Sequence, residues 1–181
     1  MAIEFTAMEI FHHALRRDLA ALEAVFDENV WRNFAFQLHF HHSAEDLLLW
    51  PVVRAKVTDP ADDQLLDAME AEHARIDPLL AAVKEGMDAG ERVPAQFAEL
   101  AAAVTDHLTH EEQAALPMMD RLITQQDWDG FVAGARQLDG DLAQNPAVLL
   151  PWMVKDAPDE LRRRVLAGLP PPLMAMVSSR S

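Results

Sequence analysis

The sequence predicts an all-α protein: an up-down-up-down four-helix bundle with a short helical, Pro-rich C-terminal extension. Three observations favour this fold. Ala, Leu, Glu and Met recur while glycine occurs only 6 times in 181 residues, a composition typical of helices. Apolar residues recur at alternating steps of three and four along four long segments, the spacing of one helix face. Short breaks separate these segments, which favours antiparallel neighbours in a bundle.

The first two helices are predicted over about residues 4–27 and 30–57. Each carries an apolar seam that is interrupted by histidine. The first seam consists of Phe5, Met8, His12, Leu15, Leu19, Leu22 and Phe26. The second consists of Phe34, Leu38, His41, Glu45, Leu48 and Val52. The stretch "TDPADD" then ends the pattern with Pro and Asp.

The third and fourth helices are predicted over about residues 62–86 and 94–124, separated by "GMDAGERVP". Their seams repeat the arrangement of the first pair. The third seam consists of Leu66, Met69, His73, Ile76, Leu80 and Val83. The fourth consists of Leu100, Val104, His107, Glu111, Ala114 and Met118. Each of the four helices therefore places a histidine among its apolar seam positions.

Residues 126–181 differ in character from the bundle of residues 1–125. "WDGFVAGARQL" and "DELRRRVLAGL" resemble short helices, whereas "NPAVLLPWMV" and "LPPPLMAMV" are apolar and rich in proline. We interpret this segment as an extension that packs on the bundle as a lid or an interface, not as a second domain.

Composition excludes several classes of function. A formal charge of −15 repels nucleic acid and anionic membranes. The absence of cysteine excludes disulfides, Fe–S clusters, thiolate zinc sites and cysteine nucleophiles. The sequence shows no signal peptide and no apolar run long enough to span a membrane. We therefore expect a cytoplasmic protein, monomeric or homodimeric, without nucleic-acid or membrane partners.

One phrase occurs twice. "HHSAEDLLLWP" at 41–51 and "HLTHEEQAALP" at 107–117 share a histidine, a glutamate four residues later and a proline ten residues later. An upstream helix with its own histidine, His12 or His73, precedes each copy. Similar distances from the connecting turns place the histidines at about one height. Residues at i and i+4 lie on one face, so the glutamates reach the same layer.

These four imidazoles and two carboxylates point to a metal centre. Two neighbouring buried carboxylates are costly without a cation. The donor set suits a borderline transition metal, and six side chains are too many for one catalytic zinc. They suit two ions, with the histidines divided between them and Glu45 and Glu111 as bridges. A metal-free bundle with satisfied core histidines accounts for one such histidine but not for four.

The phrases "IFHHALRRDL", "HHSAEDLLLWP", "AEHARIDPLL" and "DHLTHEEQAALP" resemble the hemerythrin-like family of cation-binding domains over about residues 8–120. The resemblance implies a four-helix bundle that holds a non-heme di-iron centre, two iron ions (Fe2+/Fe3+) with an oxo or hydroxo bridge. Mn and Zn are alternatives to iron. Carried across residue by residue, the implied ligands are His12, His41, Glu45, His73, His107 and Glu111.

The chain departs from the family pattern at two positions. Oxygen-carrying members have a second histidine one turn after the third-helix histidine, where Asp77 stands here. In those members the last carboxylate follows its histidine by five residues. Here the residue five after His107 is Glu112 and the residue four after it is Glu111, so either is a candidate ligand. Glu72, Asp77, Glu112 and His110 are candidate extra ligands or partners of the ligating imidazoles. The "RRDL" run at 16–19 is expected to be a solvated helix face.

Three functions follow from the resemblance. The first is a di-iron protein that binds O2, NO or peroxide, for sensing, storage or detoxification. The second is a di-iron oxidoreductase, either catalase-like or an oxygenase of a small substrate, in which the extension shapes a pocket. The third is an iron or oxygen sensor that acts through partner proteins, with metal binding coupled to folding.

Overall fold

The computed structural model describes residues 2–138, 144–169 and 173, and these residues form helices without strands. The first and third long helices of the bundle are continuous: α1 Thr6–Ala24 and α4 Pro60–Asp88. The second long helix consists of α2 Glu28–Ala44, π1 Glu45–Leu49 and α3 Trp50–Arg54. The fourth consists of α5 Pro94–His110, π2 Glu111–Ala115 and α6 Leu116–Leu122. In the described part of the C-terminal extension, three shorter helices follow: α7 Gln125–Ala135, α8 Pro146–Val154 and α9 Asp159–Ala167. Most of the predicted "LPPPLMAMV" segment lies outside the described residues.

The bundle confirms the predicted fold class. α1 packs against α2 and α5, and α4 packs against α5 and α2, so each long helix has two neighbours. Side-chain caps fix the starts of two of the long helices. Asp27 accepts hydrogen bonds from the backbone of Asn29 and Val30 at α2, and Asp59 accepts one from Ala61 at α4, where Pro60 occupies the first helical position.

The repeated prolines explain the π-helical segments. Proline has no N–H, and in an α-helix its ring clashes with the carbonyl four residues earlier. The wider π turn avoids this conflict ahead of Pro51 and Pro117. The N–H of Trp50 donates to the carbonyl of Glu45, five residues earlier. The second copy has the same bond, from Leu116 to Glu111.

The π turns shift the buried positions that follow the glutamates by one residue. Leu48, Val52 and Ala114 were predicted to lie on the interior seam. This prediction is wrong, because all three are only partly buried. The next residue in each case, Leu49, Val53 or Ala115, is almost completely buried. The extra residue in the turn rotates the later part of the helix by about 100° relative to a continuous α-helix.

Two apolar clusters occupy the interior, one on each side of the histidine–glutamate layer. One cluster is built around the later part of α1, α2, α5 and the second half of α4. The other is built from the start of α1, π1 and α3, the first half of α4, and π2 and α6. The polar layer between them is therefore enclosed by hydrocarbon.

The extension docks on α1 through partly buried polar contacts. Asp18 accepts a 2.6 Å hydrogen bond from the indole N–H of Trp152 in α8 and a 2.7 Å bond from Arg17. Arg17 also donates to the backbone carbonyl of Trp152 at 2.8 Å. Arg164 of α9 donates to Glu9 of α1 at 2.7 Å. The expectation of a solvated face is therefore wrong for Arg17 and Asp18.

The Pro-rich segment "NPAVLLPWMV" folds as a helix, which its composition did not indicate. Asn145 accepts a hydrogen bond from Ala147 N–H and Pro146 takes the first helical position, so the start of α8 is capped. The helix tolerates Pro151 five residues after that start. Among the helices that the structure describes, none is long and apolar enough to cross a membrane.

Candidate metal centre

Six side chains from the four long helices meet in the polar layer. They share almost complete burial, with at most 5 % of each residue exposed. They are His12 of α1, His41 of α2, Glu45 of π1, His73 of α4, His107 of α5 and Glu111 of π2. The structure thus brings together all six candidate ligands, and each helix pair contributes a histidine, a histidine and a glutamate.

The imidazoles form two pairs that face each other through their Nε2 atoms. His12 and His41 approach to 3.0 Å between these atoms. His73 and His107 approach to 3.2 Å in the same way. Two nitrogens bound to one transition metal at about 2.1 Å lie about 3 Å apart when they occupy adjacent positions. Each pair therefore already has the spacing of two ligands of one ion.

The two buried glutamates lie where they can join the histidine pairs. Glu45 has one carboxylate oxygen 3.5 Å from His41 Nε2 and the other 3.5 Å from His73 Nε2. An oxygen of Glu111 lies 3.1 Å from His12 Nε2. Within the described residues, none of the four carboxylate oxygens has a hydrogen bond of good geometry. Orphaned oxygens at full burial are rare and costly, and a cation removes that cost.

Carboxylates outside the layer fix three of the imidazoles. Each accepts a hydrogen bond from Nδ1, so the Nε2 lone pair points into the layer. The pairs are His12 with Glu112 at 2.8 Å, His73 with Asp46 at 2.8 Å and His107 with Glu72 at 2.9 Å. Lone pairs that face each other repel, so each pair of Nε2 atoms needs a proton or a metal ion between them.

Glu111 and Glu112 occupy different positions and therefore have different roles. Glu111 is fully buried and points into the layer. Glu112 is partly exposed and binds His12 together with the guanidinium of Arg16, which donates to its second oxygen at 3.1 Å. Although partial burial opposes its charge, these bonds lower the pKa of Glu112 to about 2. In this geometry Glu112 orients an imidazole and leaves the inner position to Glu111.

The remaining candidates occupy different environments. Glu72 spans two histidines, accepting from Nδ1 of His107 and, at 2.7 Å, from Nδ1 of His110. It therefore acts on the layer through His107. Asp77 is exposed on α4 and lines a surface groove that also contains Trp31 and His39. Asp77 was predicted as a partner of a ligating imidazole, but its exposed position does not support that role.

Charge within the layer follows from burial and mutual contact. Burial and the neighbouring charge of Glu111 raise the pKa of Glu45 well above its usual value. Burial acts in the same direction on Glu111, but the adjacent His12 outweighs it and lowers the pKa of Glu111 to about 2. Burial lowers the pKa of His12, yet Glu111 and Glu112 together raise it overall. The pKa values of the two buried glutamates are therefore shifted in opposite directions.

Two residues that contact the layer, Asp46 and His42, were not among the predicted ligands or ligand partners. Asp46 follows the first glutamate of the repeat, as Glu112 follows the second, and its bond to His73 mirrors the bond of Glu112 to His12. His42 is buried beside His73, and neither of its nitrogens has a hydrogen bond within the described residues. The signal for Asp46 was its match with Glu112. The signal for His42 was a histidine on the interior side of α2, next to a seam position.

An apolar cavity of about 410 Å3 reaches the layer from the side of the extension. Its walls come from α1, α2, α7, α8 and α9, and His41 forms part of them. Phe11 stacks on His41 at 5.0 Å between ring centroids and also lines the cavity. The extension therefore encloses space next to the histidine–glutamate layer.

These residues fit a pair of transition-metal ions. Neutral imidazoles and carboxylates are the donors that such ions prefer. His12 and His41 would hold one ion and His73 and His107 the other, while Glu45 and Glu111 lie between the two pairs. Iron ions held there would supply redox electrons and coordination positions for a small oxidant.

The comparison with protein families agrees with this geometry. The model described as hemerythrin HHE cation binding domain matches residues 5–119. The match spans the bundle through α6 and includes every residue of the histidine–glutamate layer. No curated protein and no solved structure matches the chain.

Proposed function

The chain belongs to the hemerythrin HHE cation-binding domain family, and from that membership and the geometry of the layer we propose that it is a non-heme di-iron protein that binds O2, NO or peroxide. The proposed cofactor is two iron ions with an oxo or hydroxo bridge, held by the six side chains that converge in the layer. Sensing, storage and detoxification of the small ligand are the roles that such binding serves.

One observation carries the proposal. Glu45 and Glu111 place four carboxylate oxygens at full burial without good hydrogen bonds within the described residues. The flanking imidazoles have their Nε2 atoms turned toward these oxygens. A layer built for protons alone would satisfy its acceptors, as buried polar groups generally do. Carboxylate oxygens without hydrogen bonds beside imidazole nitrogens support the binding of two cations in this layer.

The surrounding residues suit a binding protein. The apolar clusters on both sides keep bulk water from the layer. The carboxylates that hold His12, His73 and His107 fix each ring in the tautomer that presents Nε2. This fixed arrangement reduces the reorganisation needed when ions bind.

The test is anaerobic addition of O2 or NO to protein loaded with two equivalents of Fe2+. We expect a visible absorption band that saturates at one small molecule per pair of ions and, for O2, reverses on removal of the gas. Glu45→Gln should lose the band, whereas His39→Gln, a surface histidine on the same helix, should keep it. Protein that binds iron but shows no saturable band contradicts this function.

A second candidate function, an oxidoreductase acting on a small apolar substrate, is favoured by the cavity that includes His41. Phe11, Phe40, Trp128 and Phe131 give it an aromatic lining. A pocket of this volume is at the lower end of the range for small-molecule sites. The extension would then enclose a substrate beside the ions, as a lid does.

Two substitutions on α7 test this alternative. Val132 lines the cavity, whereas Ala133 is exposed one residue later. If the protein oxidises an apolar substrate, Val132→Trp should lower kcat/KM at least about tenfold, and Ala133→Trp should not. The NO absorption band should be equal in both variants. Absence of turnover with a panel of short alkyl and aryl substrates, peroxide included, contradicts the oxidoreductase.

A further inference from the structure

His42 is a buried imidazole without a hydrogen bond. It is 3 % exposed, and within the described residues neither Nδ1 nor Nε2 has a partner. Both nitrogens of an imidazole are polar, so full burial without a partner is costly. By contrast, His12, His73 and His107 each donate Nδ1 to a carboxylate. A residue that only filled the core at this position would be apolar.

The repeat shows that an apolar residue does fit the equivalent position. His42 in the first copy of the repeat corresponds to Leu108 in the second, one residue after the histidine of each phrase. Leu108 is completely buried. The two halves of the bundle therefore differ here: one half presents a leucine to the interior and the other presents an imidazole.

The ring of His42 lies against one of the two histidine pairs. It stacks on His73 with ring centroids 4.0 Å apart and meets His107 edge to face at 5.0 Å. One donor atom from each of these three residues lies within 4.8 Å of the others. Ligands of one ion lie about 3 Å apart, so the His42 ring has to rotate out of its stacking on His73 to bring a nitrogen into range.

We propose that His42 is a third imidazole ligand of the ion held by His73 and His107, which makes the di-metal centre asymmetric. This inference rests on the proposed function, because it assumes that the layer holds two ions. Counting the two shared glutamates, the ion at His73 and His107 gains a fifth protein donor. The ion at His12 and His41 keeps four.

The asymmetry has a consequence for access. The ion with fewer protein donors is the one beside His41, and His41 is the histidine that lines the cavity under the extension. A small molecule that enters through this cavity would therefore first meet the ion held by His12 and His41. Asp77, on the same helix as His73, is exposed and does not supply the additional donor.

The first test compares metal binding by wild type, His42→Leu and the control His39→Leu. Leu is the residue that the second half of the repeat carries at this position, so the variant is expected to fold. Titration with Co2+ should show two ions per chain in wild type and in the control. His42→Leu should bind the second ion at least about tenfold more weakly while keeping the first. Unchanged affinity for both ions would overturn the assignment.

A second readout counts the imidazoles that are bound to Co2+. Each imidazole bound to Co2+ contributes one paramagnetically shifted N–H proton resonance. Five such resonances are expected, and only four in His42→Leu. Four resonances in the wild type would show that His42 is a core residue and would refute its role as a ligand. That result would leave the two-ion proposal intact. Wild type that binds no Co2+ and no Fe2+ would instead refute the proposed function, and with it this inference.

Discussion

Glu45 and Glu111 lie in the protein interior, whereas the carboxylates of ordinary ion pairs lie at the surface. Both residues are 0 % exposed. Burial of two neighbouring carboxylates raises the cost of ionising both. Four imidazoles around them offset that cost only in part, because the imidazoles also repel one another when protonated. This balance is why we propose that two cations occupy the layer in place of shared protons.

Glu45→Gln should separate metal binding from folding. The amide removes one buried carboxylate, so the thermal unfolding temperature of the metal-free variant should equal or exceed that of metal-free wild type. The same change should abolish binding of two ions, because a neutral amide is a weak ligand and a poor bridge. Calorimetry with chelator and with Fe2+ measures both effects. A variant less stable without metal, yet still binding two ions, would contradict the assigned role.

Glu112→Gln should have a milder effect than Glu111→Gln. Glu112 touches the layer only through its bond to His12, so its loss should weaken iron binding about ten- to a hundredfold without changing the stoichiometry. Loss of Glu111 should reduce the number of ions bound per chain. Titration against a competing chelator distinguishes the two variants. The opposite ranking would make Glu112 the inner ligand.

At the scale of the element, helical periodicity explains why the histidines were predictable and why the residues after the glutamates were not. Steps of three and four keep a side chain on one face, so His12, His41, His73 and His107 were aligned from sequence alone. The repeated proline was recognised as part of the pattern. Its structural effect, a π turn with one extra residue, was not deduced, and the predicted interior positions after Glu45 and Glu111 were displaced by one.

Contacts between elements were harder to predict than the faces of single helices. The partner of His73 is Asp46 on a different helix, and helix periodicity does not determine which exposed carboxylate lies beside which imidazole. Likewise, Arg17 and Asp18 resembled a solvent face because the helix that covers them, α8, comes from a segment rich in proline.

Asp18→Asn tests the attachment of the extension to the bundle. Asp18 receives charge-assisted bonds from Arg17 and a bond from Trp152. Its neutralisation should lower the free energy of unfolding by about 2 kcal/mol and change the fluorescence of Trp152. Urea denaturation measures the first effect. Glu23→Gln, an exposed change on the same helix, should have little effect, and equal loss in both variants would contradict the docking contact.

Asp127 makes the start of α7 sensitive to pH. A hydrogen bond from Lys56, followed by bonds from Thr124, lowers its pKa to about 2. A depressed carboxyl pKa contributes stability above the unfolded value near 4, and this stability disappears as pH falls toward 2. Asp127→Asn should therefore cost about 1 kcal/mol at pH 7 and progressively less below pH 4. Chemical denaturation across pH measures this, and a constant difference would contradict it.

At the scale of the whole molecule, the bundle and its extension together line the cavity next to the proposed metal centre. The bundle supplies the histidine–glutamate layer and the apolar clusters that enclose it. The extension covers α1 and completes the cavity that reaches His41. Residues 126–181 were predicted as a lid or an interface. The described part of the extension lies where a lid would, and its function stays a prediction.

Metal content per chain tests the central claim most directly. Freshly purified protein should contain two equivalents of iron and show a visible spectrum that changes on addition of peroxide, whereas Glu45→Gln should contain less than one equivalent. Wild type that folds with the same stability in the presence and absence of iron, and that contains no stoichiometric transition metal, would contradict the account.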